Sequence, residues 1–170
     1  MDKKNNGRSS IKVHCLHLIK LVSLGLICAL AFACRVFSVI RYESILHEYD
    51  PWFNYRATQF LTKQGFYYFF NWFDSKSWYP LGRAVGSTIY PGLMLTASII
   101  YKICQIFTIP LELKDVCVFI GPVFSSLTSL SVYLLAKEIT QKTSTGLFAA
   151  FFIAIVPSYI SRSVAGTFNV

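Results

Sequence analysis

The chain has 170 residues, of which 54% are hydrophobic, 16% are aromatic and only 14% are charged. Soluble domains carry about 25% charged residues, so this composition excludes an ordinary soluble domain and is typical of a membrane protein. The net charge of +8 comes from dispersed basic residues without a nucleic-acid-binding motif, so we expect no nucleic acid partner and interpret the charge as a determinant of membrane topology.

The first predicted element is a membrane anchor preceded by a basic tail. Residues 1–20 carry five basic side chains against one acid, which predicts a cytoplasmic tail by the positive-inside rule. Residues 21–40 predict the first transmembrane helix. A cleaved signal peptide is the alternative, but the apolar stretch continues past Arg35 without a convincing cleavage site, so we favour an uncleaved anchor. Arg35 is expected to snorkel to the interface, or else to face a polar interior.

Residues 41–115 are interpreted as a loop on the non-cytoplasmic side. Its first half holds all three tryptophans and nearly balanced charges, a composition typical of the membrane interface. One helix is predicted over 57–64 and is ended by Gly65. A second is predicted over 91–107, lying in the interface or packed on other helices, because proline and glycine residues interrupt the apolar stretch 84–101.

Two further apolar stretches, 116–136 and 143–161, predict a transmembrane hairpin. Its short connection, 137–142, contains two lysines, which places it in the cytoplasm and agrees with the basic tail. Small residues in both stretches allow the helices to approach closely.

The number of spans decides the side on which Arg162 emerges. Counting 84–101 as a span puts Arg162 in the cytoplasm, whereas leaving it out puts Arg162 on the same face as Asp50, and we adopt the second count. Residues 162–170 then begin a second non-cytoplasmic loop. On that face Arg162 is the strong cation nearest to the acids around Asp50 and can bind a phosphate or a carboxylate. An interfacial anchor is the alternative role.

A charged and aromatic decapeptide follows the first span: His47-Glu48-Tyr49-Asp50-Pro51-Trp52-Phe53-Asn54-Tyr55-Arg56. In an extended backbone, the two-residue spacing of Glu48 and Asp50 points both carboxylates to the same side. Pro51 favours that geometry, because the residue before a proline is pushed away from the helical region. Carboxylates bind hard divalent cations, whose remaining coordination positions can hold a phosphate. The alternative is that both acids only cap or solvate a helix end.

The decapeptide resembles the motif that opens the first luminal loop of the catalytic subunit of eukaryotic oligosaccharyltransferase. Four further sequence motifs resemble the same family: Arg35-Val36-Phe37-Ser38-Val39-Ile40-Arg41, Asn71-Trp72-Phe73-Asp74, Trp78-Tyr79-Pro80-Leu81-Gly82-Arg83 and Ser161-Arg162-Ser163-Val164-Ala165-Gly166. The resemblance implies an all-α, polytopic protein of the endoplasmic reticulum membrane. It would be the amino-terminal fragment of a C-type glycosyltransferase fold, with an aromatic-rich luminal loop and a luminal active face.

The resemblance also implies a reaction and its participants. A preassembled oligosaccharide passes from dolichyl pyrophosphate to the side-chain amide of asparagine in a polypeptide that carries Asn-x-Ser/Thr. Other oligosaccharyltransferase subunits and membrane lipid are the implied partners. The amide nitrogen attacks the anomeric carbon, and Mn²⁺ or Mg²⁺ acts as a Lewis acid towards the leaving phosphate.

Particular residues inherit roles from this resemblance. Asp50 is implied as a metal ligand that also contacts the acceptor amide, with Glu48 as a further candidate ligand, and Arg162 is the second implied catalytic residue. The implied substrate-binding residues are Asp50, Trp52, Asn54, Arg56 and Arg83.

The end of the chain departs from the family pattern. Where the family reads Asp-x-Glu, Asn169 stands at the aspartate position and the glutamate has no counterpart. A neutral amide is a weaker ligand than a carboxylate for a hard cation. We therefore expect an incomplete piece that is inactive by itself. The alternatives are a non-catalytic binding or assembly module of the same complex and a lipid-binding transporter subunit, which would bury ionisable residues inside its spans.

Overall fold

The computed structural model describes residues 3–47 and 49–168, with side chains from residue 14 onward. The helices are α1 (Lys3–Tyr42), α2 (Tyr49–Gln64), α3 (Phe66–Phe70), α4 (Gly92–Ile106), α5 (Leu113–Thr140), α6 (Thr143–Ile155) and α7 (Pro157–Ser163), and the strands are β1 (Phe73–Asp74) and β2 (Arg83–Ala84). The all-α prediction is confirmed apart from this short antiparallel pair, which the sequence analysis did not predict.

The chain divides into two compact units, and each is described by itself. The helix unit consists of Met1–Arg35 and Pro122–Ser163, and the loop unit consists of Val36–Gly121 and Val164–Val170.

Among residues 3–47 and 49–168, two helices are long and apolar enough to cross a membrane. They are the segment His14–Tyr42 of α1, with 29 residues, and α5, with 28 residues. The predicted spans 21–40 and 116–136 lie inside them, so both predicted positions agree with the structure. Each helix extends beyond its predicted limits. α1 begins within the stretch predicted as a basic tail, because lysine and arginine are good helix formers. α5 continues to Thr140 and shortens the predicted connection.

The third predicted span, 143–161, is not one straight helix. α6 and α7 meet at a break where the chain bends by 58°, and together they form a third candidate span. Pro157 explains the break, because it has no backbone N–H and disfavours helical geometry in the residue before it. That residue, Val156, has the extended angles φ −63° and ψ 123°.

Small residues bring the helices of the helix unit together. The Ser126 hydroxyl donates to the Cys28 carbonyl at 3.0 Å, and the Ser125 hydroxyl is 3.3 Å from the Ala31 carbonyl. A Cβ atom at Gly146 would lie 2.9 Å from the carbonyl oxygen of Tyr133. These contacts confirm the predicted close approach of helices through small residues.

Arg35 is fully buried in the helix unit. Among the described residues it is the largest fully buried side chain. The expectation that it snorkels to the interface is therefore wrong, and the alternative of an interior position is confirmed. The physical reason is that backbone carbonyls and a serine hydroxyl accept its hydrogen bonds inside the unit.

The loop unit is built around α2, which packs against α3 and α4. One apolar cluster joins the three helices through Ala57, Leu61, Phe69 and Met94. α4 has 15 residues, a length of about 22 Å, which falls short of the roughly 30 Å of hydrocarbon in a bilayer. The position of α4 agrees with the helix predicted over 91–107, and its place outside the membrane spans stays a prediction.

Candidate functional site

The acidic motif lies in the first turn of α2. Tyr49, Asp50 and Pro51 are helical, so the prediction of an extended backbone at Asp50 is wrong. A proline is tolerated in the first helical turn because the N–H groups there have no partner within the helix. An aspartate in that turn is also stabilised by the positive end of the helix dipole. Asp50 is exposed and Pro51 is buried, so the carboxylate is accessible while its neighbour anchors the turn.

The segment Val164–Phe168 lies against this motif in the loop unit. The backbone N–H of His47 donates to the carbonyl oxygen of Gly166 at 3.1 Å. The side-chain amide of Asn54 donates to the carbonyl oxygen of Phe168 at 2.8 Å. Within the loop unit, the two stretches that the resemblance associates with acidic motifs are therefore joined on both sides of Asp50.

Gly166 and Phe168 explain why the segment docks in this way. Gly166 has φ +95°, which favours glycine, and a Cβ atom there would collide with the carbonyl oxygen of Ile45 and with the ring of His47. Its own N–H donates to the Val118 carbonyl at 3.2 Å. Phe168 is fully buried in an apolar cluster with Leu46, Ala97, Cys117, Val118, Ile120 and Ala165. Backbone pairing thus sets the register, and burial of Phe168 supplies apolar stabilisation.

Asn54 has a clear structural contact. It is buried, and its amide nitrogen is engaged by Phe168 as described above. The side chain fastens the second segment to α2, which is a role that the sequence analysis missed. Its predicted substrate-binding role stays a prediction.

Trp52 and Arg83 contact neighbours in the loop unit. The half-exposed ring of Trp52 makes an edge-to-face contact with Tyr55 at 6.0 Å between centroids. The guanidinium of Arg83 donates to the Thr88 hydroxyl at 3.2 Å and lies 5.4 Å from the centroid of the Trp78 ring. Substrate binding by Trp52 and Arg83 also stays a prediction.

Arg56 forms an ion pair with Asp74, an acid that the sequence analysis did not assign to the site. The two side chains approach to 2.7 Å, with Asp74 almost completely buried at the β1–β2 pair. The Ser77 hydroxyl donates to the other carboxylate oxygen at 2.6 Å. The sequence signal for this ion pair was an acidic residue directly after Trp72 and Phe73. A carboxylate buried among apolar residues requires hydrogen-bond donors or a cation as partners.

The pKa of Asp74 reflects competing effects. Burial by itself raises the pKa of this carboxyl group. The hydrogen bonds from Ser77 and from the Lys76 backbone, together with the charge of Arg56, outweigh burial and leave the pKa below its usual value of 3.8. Asp74 is therefore ionised at neutral pH and holds Arg56 in place.

Arg162 is exposed in the last turn of α7. It belongs to the helix unit, whereas Asp50 belongs to the loop unit. The common face predicted for these two residues stays a prediction from the sequence.

A hard divalent cation requires several oxygen ligands. Within residues 3–47 and 49–168, no three His, Cys, Asp or Glu side chains are grouped to hold a metal ion. Asp50 offers one accessible carboxylate, and the other predicted ligands, Glu48 and Asn169, lie outside the described residues. The described residues therefore do not fit a complete metal centre by themselves.

Comparisons with known proteins agree with the motifs. Residues 18–169 match the family described as "Oligosaccharyl transferase STT3, N-terminal". The chain is 54% identical over 158 residues to "Dolichyl-diphosphooligosaccharide--protein glycosyltransferase subunit STT3" of Dictyostelium discoideum, an alignment that covers 93% of the chain and 22% of that relative.

Two further relatives have similar identities. The rice (Oryza sativa subsp. japonica) subunit STT3A is 52% identical over 163 residues, which are 96% of the chain and 21% of the relative. The Caenorhabditis elegans subunit stt-3 is 50% identical over 161 residues, which are 95% of the chain and 21% of the relative. The chain thus spans about a fifth of the length of these curated relatives.

Proposed function

The chain belongs to the oligosaccharyl transferase STT3 family, and on that premise we propose that it is the amino-terminal part of an oligosaccharyltransferase catalytic subunit. The proposed reaction moves a preassembled oligosaccharide from dolichyl pyrophosphate to an asparagine side chain of a polypeptide that carries Asn-x-Ser/Thr. Since the chain spans about a fifth of its relatives, the remainder of the subunit and the other subunits of the complex complete the catalyst.

One observation carries this proposal. The hydrogen bonds from His47 to Gly166 and from Asn54 to Phe168 join the decapeptide around Asp50 to the segment that follows the last motif of the resemblance. They bring the segment that precedes position 169 to the turn that contains Asp50. A site assembled from distant parts of the chain is what a transferase needs to hold two substrates in reacting geometry.

In the proposed reaction Asp50 orients the acceptor. Its carboxylate accepts a hydrogen bond from the asparagine amide, whose nitrogen forms a new bond to the anomeric carbon. The bond between that carbon and the phosphate oxygen breaks, dolichyl pyrophosphate leaves with the electron pair, and the amide nitrogen gives up one proton to solvent. Asp50 is also the carboxylate that this chain would contribute to a Mn²⁺ or Mg²⁺ site, whose other ligands would come from outside the described residues.

The transporter alternative requires an ionisable residue buried inside a span, and Arg35 is such a residue. Its Nη1 and Nε donors are engaged by Ala31, Ala154 and Ser163 within the helix unit. A side chain so fixed does not supply a path for a transported ion, and membership of the family favours the transferase.

Replacement of Asp50 tests the proposal. In the full-length subunit, Asp50→Ala should lower the rate of oligosaccharide transfer by more than about a hundredfold, because the acceptor amide loses its orienting carboxylate. Glu112→Ala is the matched control, since Glu112 is an exposed acid of the same unit. A wild-type rate for Asp50→Ala would contradict the role assigned to this residue.

The membrane side is tested by labelling single cysteines. We propose that α1, α5 and the bent pair α6–α7 each cross the endoplasmic reticulum membrane, which puts Asp50 and Arg162 on the luminal side. Luminal reagent should then label Leu81→Cys and Ser161→Cys, which replace exposed residues, and should miss Thr140→Cys. Labelling of positions 81 and 161 from opposite sides would refute the proposed topology.

A further inference from the structure

Arg35 carries a guanidinium group inside the helix unit with no carboxylate beside it. Its side chain is 0% exposed, and the structure places no acid within salt-bridge distance of it among residues 14–47 and 49–168. A buried charge without a partner of opposite sign is costly, so the groups that stabilise this one must be dipoles. The positions of these dipoles in the fold indicate the role of Arg35.

Two backbone carbonyls and one hydroxyl accept hydrogen bonds from Arg35. Nη1 donates to the carbonyl oxygen of Ala31 at 2.7 Å and to that of Ala154 at 3.0 Å. Nε donates to the Ser163 hydroxyl at 2.6 Å. The guanidinium also lies 4.7 Å from the centroid of the Tyr159 ring, a distance that permits a cation–π interaction.

The Ala154 carbonyl belongs to the broken end of α6. In a continuous helix this oxygen would accept the N–H of Ser158, four residues later. Pro157 interrupts the helix and the chain bends by 58°, and Arg35 donates to the Ala154 oxygen instead. The position also suits a cation, because the carbonyl end of a helix carries a partial negative charge.

The same guanidinium reaches the other end of α7. Ser163 accepts from Nε of Arg35, and its own hydroxyl donates to the Tyr159 carbonyl. The Tyr159 hydroxyl donates in turn to Thr128 of α5 at 3.0 Å. Arg35 of α1 is therefore hydrogen-bonded to Ala154, near the end of α6 before the bend, and to Ser163, the last residue of α7 after it.

We propose that Arg35 is a positioning residue that fixes the angle between α6 and α7 and, through Ser163, the direction in which the adjacent Arg162 leaves the helix. The part of this inference that concerns activity rests on the proposed function and on the catalytic role that the resemblance implies for Arg162. The geometric part, the fixed bend, stands independently of any reaction.

The chemistry of the contacts makes a specific demand on the side chain. Arg35 uses two different nitrogens to reach acceptors on both sides of the bend. Lysine presents all its donors from one nitrogen atom and cannot reproduce this planar fork. Charge alone is therefore insufficient, and Arg35→Lys should not restore the fixed angle between α6 and α7 that Arg35→Met loses.

The bend can be measured with nitroxide labels in the full-length protein in lipid nanodiscs, in a background without native cysteines. Positions 148 in α6 and 161 in α7 are both exposed and lie on either side of the break. Pulsed electron paramagnetic resonance should give one narrow distance distribution with Arg35 and a broad or shifted one with Arg35→Met or Arg35→Lys. Arg41→Met, which removes an exposed cation from the same helix, is the matched control.

Ser163→Ala keeps the experiment decisive if Arg35→Met fails to insert. It removes the Nε acceptor and the hydroxyl that donates to the Tyr159 carbonyl, leaves both Nη1 contacts in place, and should broaden the distribution to a smaller extent. An unchanged distribution in Arg35→Met, or in Ser163→Ala where that is the variant that folds, would overturn the inference. A narrow wild-type distance in Arg35→Lys would overturn the requirement for two separate nitrogens.

A double-variant cycle in the transfer assay tests the link to Arg162. Arg35→Met and Arg162→Ala should each lower kcat/KM for the lipid-linked donor by about tenfold or more. If Arg35 acts through Arg162, the double variant should lose no more than Arg162→Ala alone, whereas multiplied losses would overturn that link. A wild-type rate for Arg162→Ala would refute the proposed role of Arg162, and the label distances would still decide whether Arg35 fixes the bend.

Discussion

Among the described side chains, each unit of the molecule buries one that is charged, and the two units stabilise that charge differently. In the helix unit, Arg35 is surrounded by carbonyl and hydroxyl dipoles. In the loop unit, Asp74 is neutralised by the half-exposed cation Arg56 and by hydrogen bonds from Ser77 and the Lys76 backbone. The first charge has no counterion among the described residues, and the second has one that contacts water.

The partners also differ in their distance along the chain. Ala154 and Ser163 lie 119 and 128 residues from Arg35, whereas Arg56 lies 18 residues from Asp74. A local ion pair can form within one folded loop. The contacts of Arg35 require that helices from distant parts of the sequence pack first. Stabilisation of the buried charge of Arg35 therefore depends on tertiary packing, whereas stabilisation of the buried charge of Asp74 depends on local folding.

Reversing the charge of Arg35 should have the largest effect. Arg35→Glu would place a carboxylate beside the carbonyl oxygens of Ala31 and Ala154, whose partial negative charges repel it. We expect a loss of more than about 3 kcal/mol in the free energy of unfolding. Detergent titration followed by far-ultraviolet circular dichroism measures this loss, and Arg35→Met should lose less. A loss below about 1 kcal/mol would mean that the site tolerates either charge.

Neutralising Asp74 should have an intermediate effect. Asp74→Asn removes charge-assisted hydrogen bonds from a buried group, but Arg56 remains half-exposed and can turn to water. We expect a loss of about 2 kcal/mol at neutral pH. Fluorescence is a suitable measurement, because all three tryptophans lie in the loop unit. A loss equal to that of Arg35→Glu would remove the distinction between the two buried charges.

The effect of Asp74→Asn should depend on pH. The folded pKa of Asp74 lies below its usual value of 3.8, so the ionised carboxylate stabilises the fold fully above that usual value. This contribution is lost as the pH falls through the lower, folded pKa. The difference between wild type and Asp74→Asn should therefore shrink below about pH 4, and a difference independent of pH would show that the carboxylate charge contributes nothing.

The smallest effects should come from two serines that bind these charges. Ser163→Ala removes the acceptor of Arg35 Nε, whereas Ser77→Ala leaves Asp74 with Arg56 and a backbone N–H. We expect losses of about 1.5 and about 0.5 kcal/mol, respectively. Circular dichroism and tryptophan fluorescence measure the two losses, and a greater loss for Ser77→Ala would reverse the expected order.

Local sequence predicted the elements whose signals are local. The apolar lengths predicted α1 and α5, and Gly65 predicted the end of α2. Pro91 and Gly92 predicted that the following helix does not span. The start of α2 was predicted wrongly, because the steric preference of the residue before Pro51 competes with the tolerance of proline in a first helical turn. The neighbouring sequence does not decide between these two effects. In the structure the turn is helical and Pro51 is buried.

The amino-acid sequence by itself determined that this is a helical membrane protein of a recognisable family. The length of an apolar stretch and the identity of a sequence motif are properties of consecutive residues. Only the tertiary structure decided that Arg35 is buried at a bend, that Asp74 holds Arg56, and that Asn54 binds the backbone at Phe168. These outcomes depend on which donor meets which acceptor across 18 to 128 residues of chain. The partners of a buried polar group are those that the fold brings to it, and that pairing is not encoded by spacing along the sequence.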